Sequence, residues 1–288
     1  MNSLCIKTND DKILEYLKNE FSEFNMQNTF YSCNEFKLYK NIIIHYKGID
    51  KELFYTKIAT ILSYLVIDCF EDDIIKRIIL SNYFYFDNSE IPQIQDFCTN
   101  NLEEAEFSLS NREIELFDAF YNYIITHKSI VISGFINFRL YNYRNLLENL
   151  VDLSVNEFII EREYFEFISL VKLYVNSQKS SYGIVHLVCF DSEILLLNEN
   201  LQIIDIDKRV LNAKYLSDVS FSNNDYILNT LLNILPNKIF VHMISSVNLE
   251  FINTLKLIFE SRIEVCSNCN ICNLYRNLGN GKKNRKNF

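Results

Sequence analysis

The sequence has no tryptophan, two prolines and only five glycines among 288 residues. A backbone that closely approaches a nucleotide phosphate needs glycine, and no glycine-rich phosphate loop, nucleophile elbow or HExxH motif occurs. The common nucleotide-binding and protease chemistries are therefore disfavoured. The apolar fraction of 49% is ample for a buried core, so the chain is expected to fold.

Basic residues are in the minority, with 28 lysines and arginines against 37 acidic residues and a formal charge of −9. Nucleic-acid-binding proteins present a basic surface, so this charge argues against a general affinity for phosphate backbones. The exception is the segment 274–288, which we expect to be a disordered basic tail. Contact with nucleic acid or a membrane is expected only through its basic side chains, which are Lys282, Lys283, Arg285 and Lys286.

The chain also lacks the marks of export. No N-terminal segment combines a basic flank, an apolar stretch and a small-residue cleavage site. The most apolar helix candidate, Phe54 to Phe70, contains Lys57 and Asp68 and is expected to be a core helix rather than a membrane span. We therefore predict a cytoplasmic protein with eight reduced cysteines. Five of them stand alone in apolar stretches and are expected to be small buried side chains, namely Cys5, Cys33, Cys69, Cys98 and Cys189.

The spacing of apolar residues predicts an α+β fold with a helical central region. Residues 1–48 alternate short β-rich runs with one helical pattern and form a small N-terminal α/β element. Residues 50–180 show apolar spacings of three and four with few helix breakers, which indicates a helical region. Residues 181–273 return to short β-rich runs and helices, and form a C-terminal α/β lobe.

The clearest helix is predicted from about Asn156 to Ser177. Phe158, Phe165 and Ile168 widen its main apolar stripe toward a second side. So wide an apolar surface is typical of a helix in the middle of a bundle, which is where we expect it. The stripe consists of Ile160, Tyr164, Phe167, Val171 and Tyr174.

The C-terminal lobe opens with the runs IVHLVCF, EILLLN and LQIIDID, whose DS and EN turns predict an antiparallel β-meander. After a helix closed by Pro236 come a strand ending at His242, a helix from Asn248 to Phe259 and a strand ending at Cys266. A strand–helix–strand unit makes its two strands parallel and adjacent. The ends of these two strands are therefore expected at the same edge of the sheet.

Three cysteines, Cys266, Cys269 and Cys272, follow one another at a spacing of three. Because neighbouring strands lie ~4.8 Å apart, the imidazole of His242 and the thiol of Cys266 are expected to share an ion, with the other two thiols folding back over the sheet edge. We predict a structural Cys3His metal site that holds zinc. An iron–sulfur cluster and a metal-free group of thiols remain open alternatives.

A second set of candidate metal ligands lies in the predicted meander, at Asp191, Asp205 and Asp207. Metal-dependent nucleases combine carboxylates with a lysine, but they place an acid two residues before that lysine; before Lys208 this chain has Ile206. The alternative hypothesis is therefore a metal-dependent enzyme, hydrolase or nuclease-like, that uses these acids or an open position at the cysteine site. No residue is assigned a catalytic role.

Three segments, INFRLYNY (Ile136–Tyr143), VDLSVNEFIIEREYFEFISLVKLYV (Val151–Val175) and RIEVCSNCNIC (Arg262–Cys272), resemble the YtxC family of sporulation proteins from endospore-forming bacteria. The resemblance covers roughly the C-terminal two thirds of the chain and leaves out about the first 130 residues. It implies a cytoplasmic, sporulation-associated protein and implies no reaction. We therefore expect a binding or regulatory protein with a protein partner rather than an enzyme.

Overall fold

The structure, a computed structural model, describes residues 2–24, 26–36, 39–104, 107–190, 193–204, 222–244, 249–266 and 268–283. The chain divides into two compact units, unit 1 (Met1–Glu161) and unit 2 (Arg162–Phe288). Each unit combines helices with a four-stranded sheet in the part of the chain described, which confirms the α+β class. The division lies inside one long helix, whereas the sequence pattern changes near residue 180.

Unit 1 begins with alternating strands and helices and continues with a series of helices. In chain order its elements are β1 (Asn2–Thr8), α1 (Asp11–Ser22), β2 (Thr29–Glu35), β3 (Lys40–Tyr46), α2 (Lys51–Asn82), α3 (Ile91–Asn101), α4 (Leu109–Ile124), β4 (Ser129–Val131), α5 (Ile132–Arg139) and the first part of α6 (Tyr141–Ser177). The sheet order is β2-β3-β1-β4, in which β4 is parallel to β1 and the other neighbours are antiparallel. Sequence analysis missed β4, because three residues are too few to show a period of two.

Helix α2 forms much of the core of unit 1. Its first turn is capped by Asp50, whose carboxylate accepts a hydrogen bond from the Leu53 N–H at 2.9 Å. By length and composition this helix could cross a membrane, since an 18-residue window within it has a mean hydropathy of 1.5. Its side chains at Phe54, Ile58 and Leu62 are nevertheless fully buried in unit 1, as expected for a core helix.

A buried ion pair joins two helices of unit 1. The guanidinium of Arg112 in α4 contacts the carboxylate of Glu71 in α2, and both side chains are buried. The second oxygen of Glu71 accepts a hydrogen bond from the hydroxyl of Tyr143, and the Nε of Arg112 donates to the carbonyl of Phe107 at 2.9 Å. Burial and the adjacent Glu71 raise the pKa of Tyr143, so its phenol stays protonated and continues to donate.

Helix α6 starts at Tyr141, well before the predicted Asn156, and ends at Ser177 as expected. The prediction that it lies in the middle of a bundle is wrong, because Ile160 and Leu170 are each 68% exposed. In its second half, Ile168 and Val175 are buried in the core of unit 2. A helix beside a sheet buries one stripe, so a sequence that is apolar on more than one side leaves the rest exposed.

Unit 2 contains the second half of α6 and a second sheet. Its further elements are β5 (Tyr182–Phe190), β6 (Glu193–Asn198), α7 (Asn223–Ile234), β7 (Pro236–Met243), α8 (Leu249–Phe259), a 3₁₀ turn (Glu260–Arg262), β8 (Ile263–Cys266) and α9 (Asn270–Lys283). The sheet order is β6-β5-β7-β8. The predicted antiparallel pair β5/β6 and the predicted parallel neighbours β7/β8 are both present.

One face of this sheet forms the core of unit 2. Val185 and Leu187 of β5 and Ile239 and Val241 of β7 are buried there, together with side chains of α6, α7 and α8. In the described part of the third run of the predicted meander, Ile203 forms an isolated bridge with Leu197. Because side chains alternate along a strand, His242 lies on the face opposite Val241.

Helix α9 covers 270–283 and so includes most of the segment from 274 that we expected to be a tail. Ile271, Leu274 and Tyr275 recur at helical spacing, which explains why the helix continues. Lys282 and Lys283 lie in its last turn, and Arg285 and Lys286 lie outside the described residues.

Candidate metal centre

His242 and Cys266 face each other across the pair of parallel strands β7 and β8. His242 is the penultimate residue of β7, Cys266 is the last residue of β8, and the two are register partners. Register partners in a sheet point to the same side. The pairing of the strands therefore brings the imidazole and the thiol to one edge, as the strand–helix–strand pattern predicted.

Cys269 and Cys272 lie at the start of α9. Cys269 immediately precedes the helix, and its carbonyl accepts a hydrogen bond from the Asn273 N–H at 3.0 Å. A spacing of three places two side chains on the same side of a helix. The turn of α9 therefore directs both thiols toward the sheet edge, where Cys272 is buried and Cys269 is partly buried.

The four candidate ligand atoms lie within 4.8 Å of one another. Nδ1 of His242 is 3.5 Å from Sγ of Cys269 and 3.4 Å from Sγ of Cys272. Sγ of Cys272 is 3.8 Å from Sγ of Cys269 and 3.9 Å from Sγ of Cys266. With Zn–S bonds of ~2.3 Å and Zn–N bonds of ~2.0 Å, a tetrahedron has edges of about 3.8 Å between sulfurs and about 3.5 Å between sulfur and nitrogen. These four distances match the expected edges.

All eight cysteines are free. Sulfurs 3.8 and 3.9 Å apart are much farther than the ~2.05 Å of a disulfide bond, so the cluster consists of three separate thiols. Of the five cysteines expected to be buried, Cys98 and Cys189 are buried, and Cys5 is partly so. The expectation is wrong for Cys33 and Cys69, which are exposed. Cys33 lies in the edge strand β2, which is exposed on both faces from Phe30 to Glu35, and Cys69 lies on the exposed side of α2.

The electrostatics of the cluster favour a neutral imidazole at His242. Burial, and secondarily the nearby His186, lowers the pKa of His242 to about 4. Burial and hydrogen bonds to the other two thiols raise the pKa of Cys266 to about 11. Burial opposes ionisation of Cys269 as well, but hydrogen bonds that include the backbone of Cys272 and Ile271 lower its pKa. A cation would stabilise all three thiolates.

His186 is a part of this site that sequence analysis missed. Its Nδ1 lies 3.0 Å from Nε2 of His242, so the two rings form a hydrogen bond. Metal-bound histidines usually donate their second N–H to a neighbouring acceptor, which orients the ring. The alternation of side chains in β5 showed that His186 lies on one face of its strand. Which residues of β7 it neighbours depends on the register of the two strands, in which His186 pairs with Phe240, and this register follows only from the structure.

Three further candidate metal ligands were predicted from the sequence. Asp191, Asp205 and Asp207 lie outside the described residues.

Comparisons with known proteins place the chain in a family. A model of the YtxC-like family matches residues 56–264. The Uncharacterized protein YtxC of Bacillus subtilis (strain 168) is 22% identical over 209 residues, which is 69% of this chain and 72% of that protein. No solved structure matches the chain significantly.

The family match corrects the extent of the resemblance. It begins at residue 56, and so includes much of the N-terminal part that the sequence analysis left out. It ends at residue 264, so it contains His242 but not the three clustered cysteines. The match spans well over half of the sequence, and the chain belongs to the YtxC-like family.

Proposed function

We propose that the protein is a non-enzymatic binding or regulatory protein, cytoplasmic and associated with sporulation, whose unit 2 is stabilised by a structural zinc ion. The ligands of this ion are His242, Cys266, Cys269 and Cys272. One observation carries the proposal. The four ligand atoms lie within 4.8 Å of one another, and the four distances of 3.4, 3.5, 3.8 and 3.9 Å among them match the edges of a zinc tetrahedron.

The spacing supports a single zinc ion rather than an iron–sulfur cluster. Cluster ligands bind different iron atoms and are therefore spread farther apart than the ligands of one ion. Three thiolates and one imidazole form a common ligand set of structural zinc. The fourth ligand, His242, is also held neutral by burial, which is the form that binds metal.

The donor set supports a structural rather than a catalytic role. Four protein ligands complete a tetrahedron and leave no position for water or substrate. The ligands come from β7, β8 and the start of α9, so a bound ion would hold α9 against the sheet edge. That contact would stabilise the chain end by linking three elements.

The proposed location, association with sporulation and protein partner are supported by other observations. The resemblance to YtxC proteins supports an association with sporulation, and the free cysteines agree with a reducing compartment such as the cytoplasm. A protein partner is supported by the exposed apolar side chains of α6, since Leu170 and Leu173 are each 68% exposed.

The direct test is metal analysis of the purified full-length protein and of two cysteine variants. We expect about one equivalent of zinc in the natural sequence. Cys269→Ser should lose the metal and lower the melting temperature of unit 2 by roughly 5–10 °C, because a ligand that binds only the folded state stabilises it. The matched control is Cys33→Ser, which changes an exposed cysteine of β2 and should keep both the zinc and the stability.

Two results would contradict the assignment. A brown purified protein that contains iron and sulfide would show that the site holds an iron–sulfur cluster instead of zinc. Absence of metal from protein produced and purified with added zinc, or equal zinc in Cys269→Ser, would remove the metal site altogether.

A further inference from the structure

A cavity of about 320 Å³ lies within unit 1, between helices α2, α5 and α6. Its inner wall is apolar and includes Ile74, Ile78, Ile136 and Leu140. The volume lies within the range of small-molecule sites, which combine an apolar wall with a few polar groups. This cavity belongs to neither the sheet of unit 2 nor the cysteine cluster, so it is independent of the proposed zinc site.

The rim of the cavity is polar and positively charged. It carries the guanidinium groups of Arg77 and Arg144, the hydroxyl of Ser81 and the amide of Asn137, and none of the described residues that line it is acidic. The whole chain has a net charge of −9, whereas the lining residues that the structure describes include two arginines and no acid, so the cavity is locally positive. Such a rim attracts an anionic group.

Arg77 is the better placed of the two arginines. Its Nε donates to the carbonyl of Asp73 at 3.2 Å, and its Nη1 donates to Oδ1 of Asn137 at 3.4 Å. No ion pair joins it to a carboxylate of the described residues, whereas Nε of Arg144 donates to Glu148 at 3.1 Å. The Arg77 guanidinium is therefore oriented at the rim with its charge available.

The break between α5 and α6 forms one side of the cavity. Leu140 leaves the helical conformation, with φ −93° and ψ 51°, and α6 begins at the next residue. The first turn of α6 contains no acidic residue. Its Tyr143 and Arg144 line the cavity, so the positive end of a long helix adds to the charge of the arginines.

We propose that this cavity binds a small amphiphile whose anionic head group contacts Arg77 and whose apolar body packs on the isoleucines of α2 and α5. At the ~30 Å³ that one water occupies, the cavity accepts roughly ten non-hydrogen atoms. Octanoate is of this size. The head group is a carboxylate or a phosphate ester, since guanidinium binds both in the same way.

A neighbouring cavity provides the internal comparison. It has a volume of about 420 Å³ and shares Leu140 and Tyr143 with the first cavity. Its rim holds Arg139 together with Glu115 and Asp118, so the charges are mixed and the lining is largely polar. This second cavity has neither the excess of positive charge nor the apolar wall that the proposed ligand requires.

The test is calorimetric titration of the full-length protein with four probes, which are octanoate, octyl phosphate, inorganic phosphate and octylamine. We expect octanoate or octyl phosphate to bind with millimolar affinity or better, as is usual for ligands of this size. The tighter of the two identifies the head group. Arg77→Gln should weaken binding about tenfold, because a charge-assisted hydrogen bond is lost. Arg139→Gln, which changes the same residue type at the second cavity, should leave the affinity unchanged.

Two further variants distinguish the effect of the Arg77 charge on binding from the effect of the cavity volume. Arg77→Lys should retain part of the affinity, and Ser81→Phe, which fills the cavity and keeps Arg77, should abolish binding. The far-UV circular dichroism of each variant shows that it folds. Equal binding of octylamine, inorganic phosphate as tight as octyl phosphate, unchanged affinity in Arg77→Gln, or no binding of any probe would each overturn the proposal.

Discussion

Nδ1 of His186 lies 3.0 Å from Nε2 of His242, at the side of the His242 ring that faces away from the three cysteines. Nδ1 of His242 lies 3.4 Å from Sγ of Cys272, so it is the nitrogen available to a metal. When Nδ1 binds a metal, the proton of the neutral ring is on Nε2, which then donates to His186. The second histidine thus selects the tautomer and orients the ring.

The first prediction follows from this contact. His186→Phe removes the acceptor for the Nε2 proton, and we expect it to weaken zinc affinity about 10–100-fold, as is usual for loss of such a partner. Competition with a chromophoric chelator measures the affinity. The same substitution at His127, an exposed residue of unit 1, should have no effect. Equal affinities in the two variants would show that His186 does not support the site.

The second prediction concerns metal removal. Because the proposed ion links β7, β8 and α9, its removal by a chelator should destabilise unit 2 locally. Hydrogen exchange followed by mass spectrometry should show at least ~tenfold faster exchange in β7 and β8, a change of about 1.4 kcal/mol in local opening. Strands β1 and β3 of unit 1 serve as the control. Uniform acceleration in both units, or none, would contradict a local role.

The third prediction concerns the buried ion pair of unit 1. Arg112→Ala leaves the carboxylate of Glu71 buried without its cation, and should destabilise unit 1 by about 3–5 kcal/mol. Replacing both residues, as in Glu71→Leu with Arg112→Met, should cost less because no charge remains. Denaturation by urea, followed by circular dichroism, measures both. Arg144→Ala disrupts an exposed pair with Glu148 and should change stability by about 0.5 kcal/mol or less.

The fourth prediction compares two glycines. At Gly48 an added Cβ would overlap the phenol of Tyr46. The Tyr46 ring stacks on Phe54 with ring centroids 5.1 Å apart, and its hydroxyl accepts a hydrogen bond from the Asp50 N–H at 3.2 Å. Gly48→Ala should therefore cost about 1–3 kcal/mol.

The control for this prediction is Gly134, inside α5, where an added Cβ would meet nothing nearer than Cβ of Val131 at 3.9 Å. Gly134→Ala should be neutral or stabilise unit 1 by up to about 1 kcal/mol, because alanine favours a helix. Thermal unfolding distinguishes the two variants. A stable Gly48→Ala protein would mean that Tyr46 is free to move.

Much of the C-terminal lobe was predictable because its signals are local. The alternation of β-rich runs with the helical spacing of α8 indicated parallel strands β7 and β8, and the structure confirms them. The positions of His242 and Cys266 at the strand ends followed from that pattern. By contrast, the wide apolar surface of α6 did not reveal which side is buried, since Ile168 is covered by the core of unit 2 and Leu170 is not.

The sequence by itself determined the donors of the candidate site, because three cysteines at a spacing of three and a histidine near the end of a β-rich run are features of the chain alone. Only the tertiary structure decided that His186 joins them and that Arg77 reaches the rim of a cavity. These relationships depend on strand register and on helix packing between distant segments. Strand register and helix packing are both set by burial of the whole core, and the spacing of residues along a short segment carries no information about that burial.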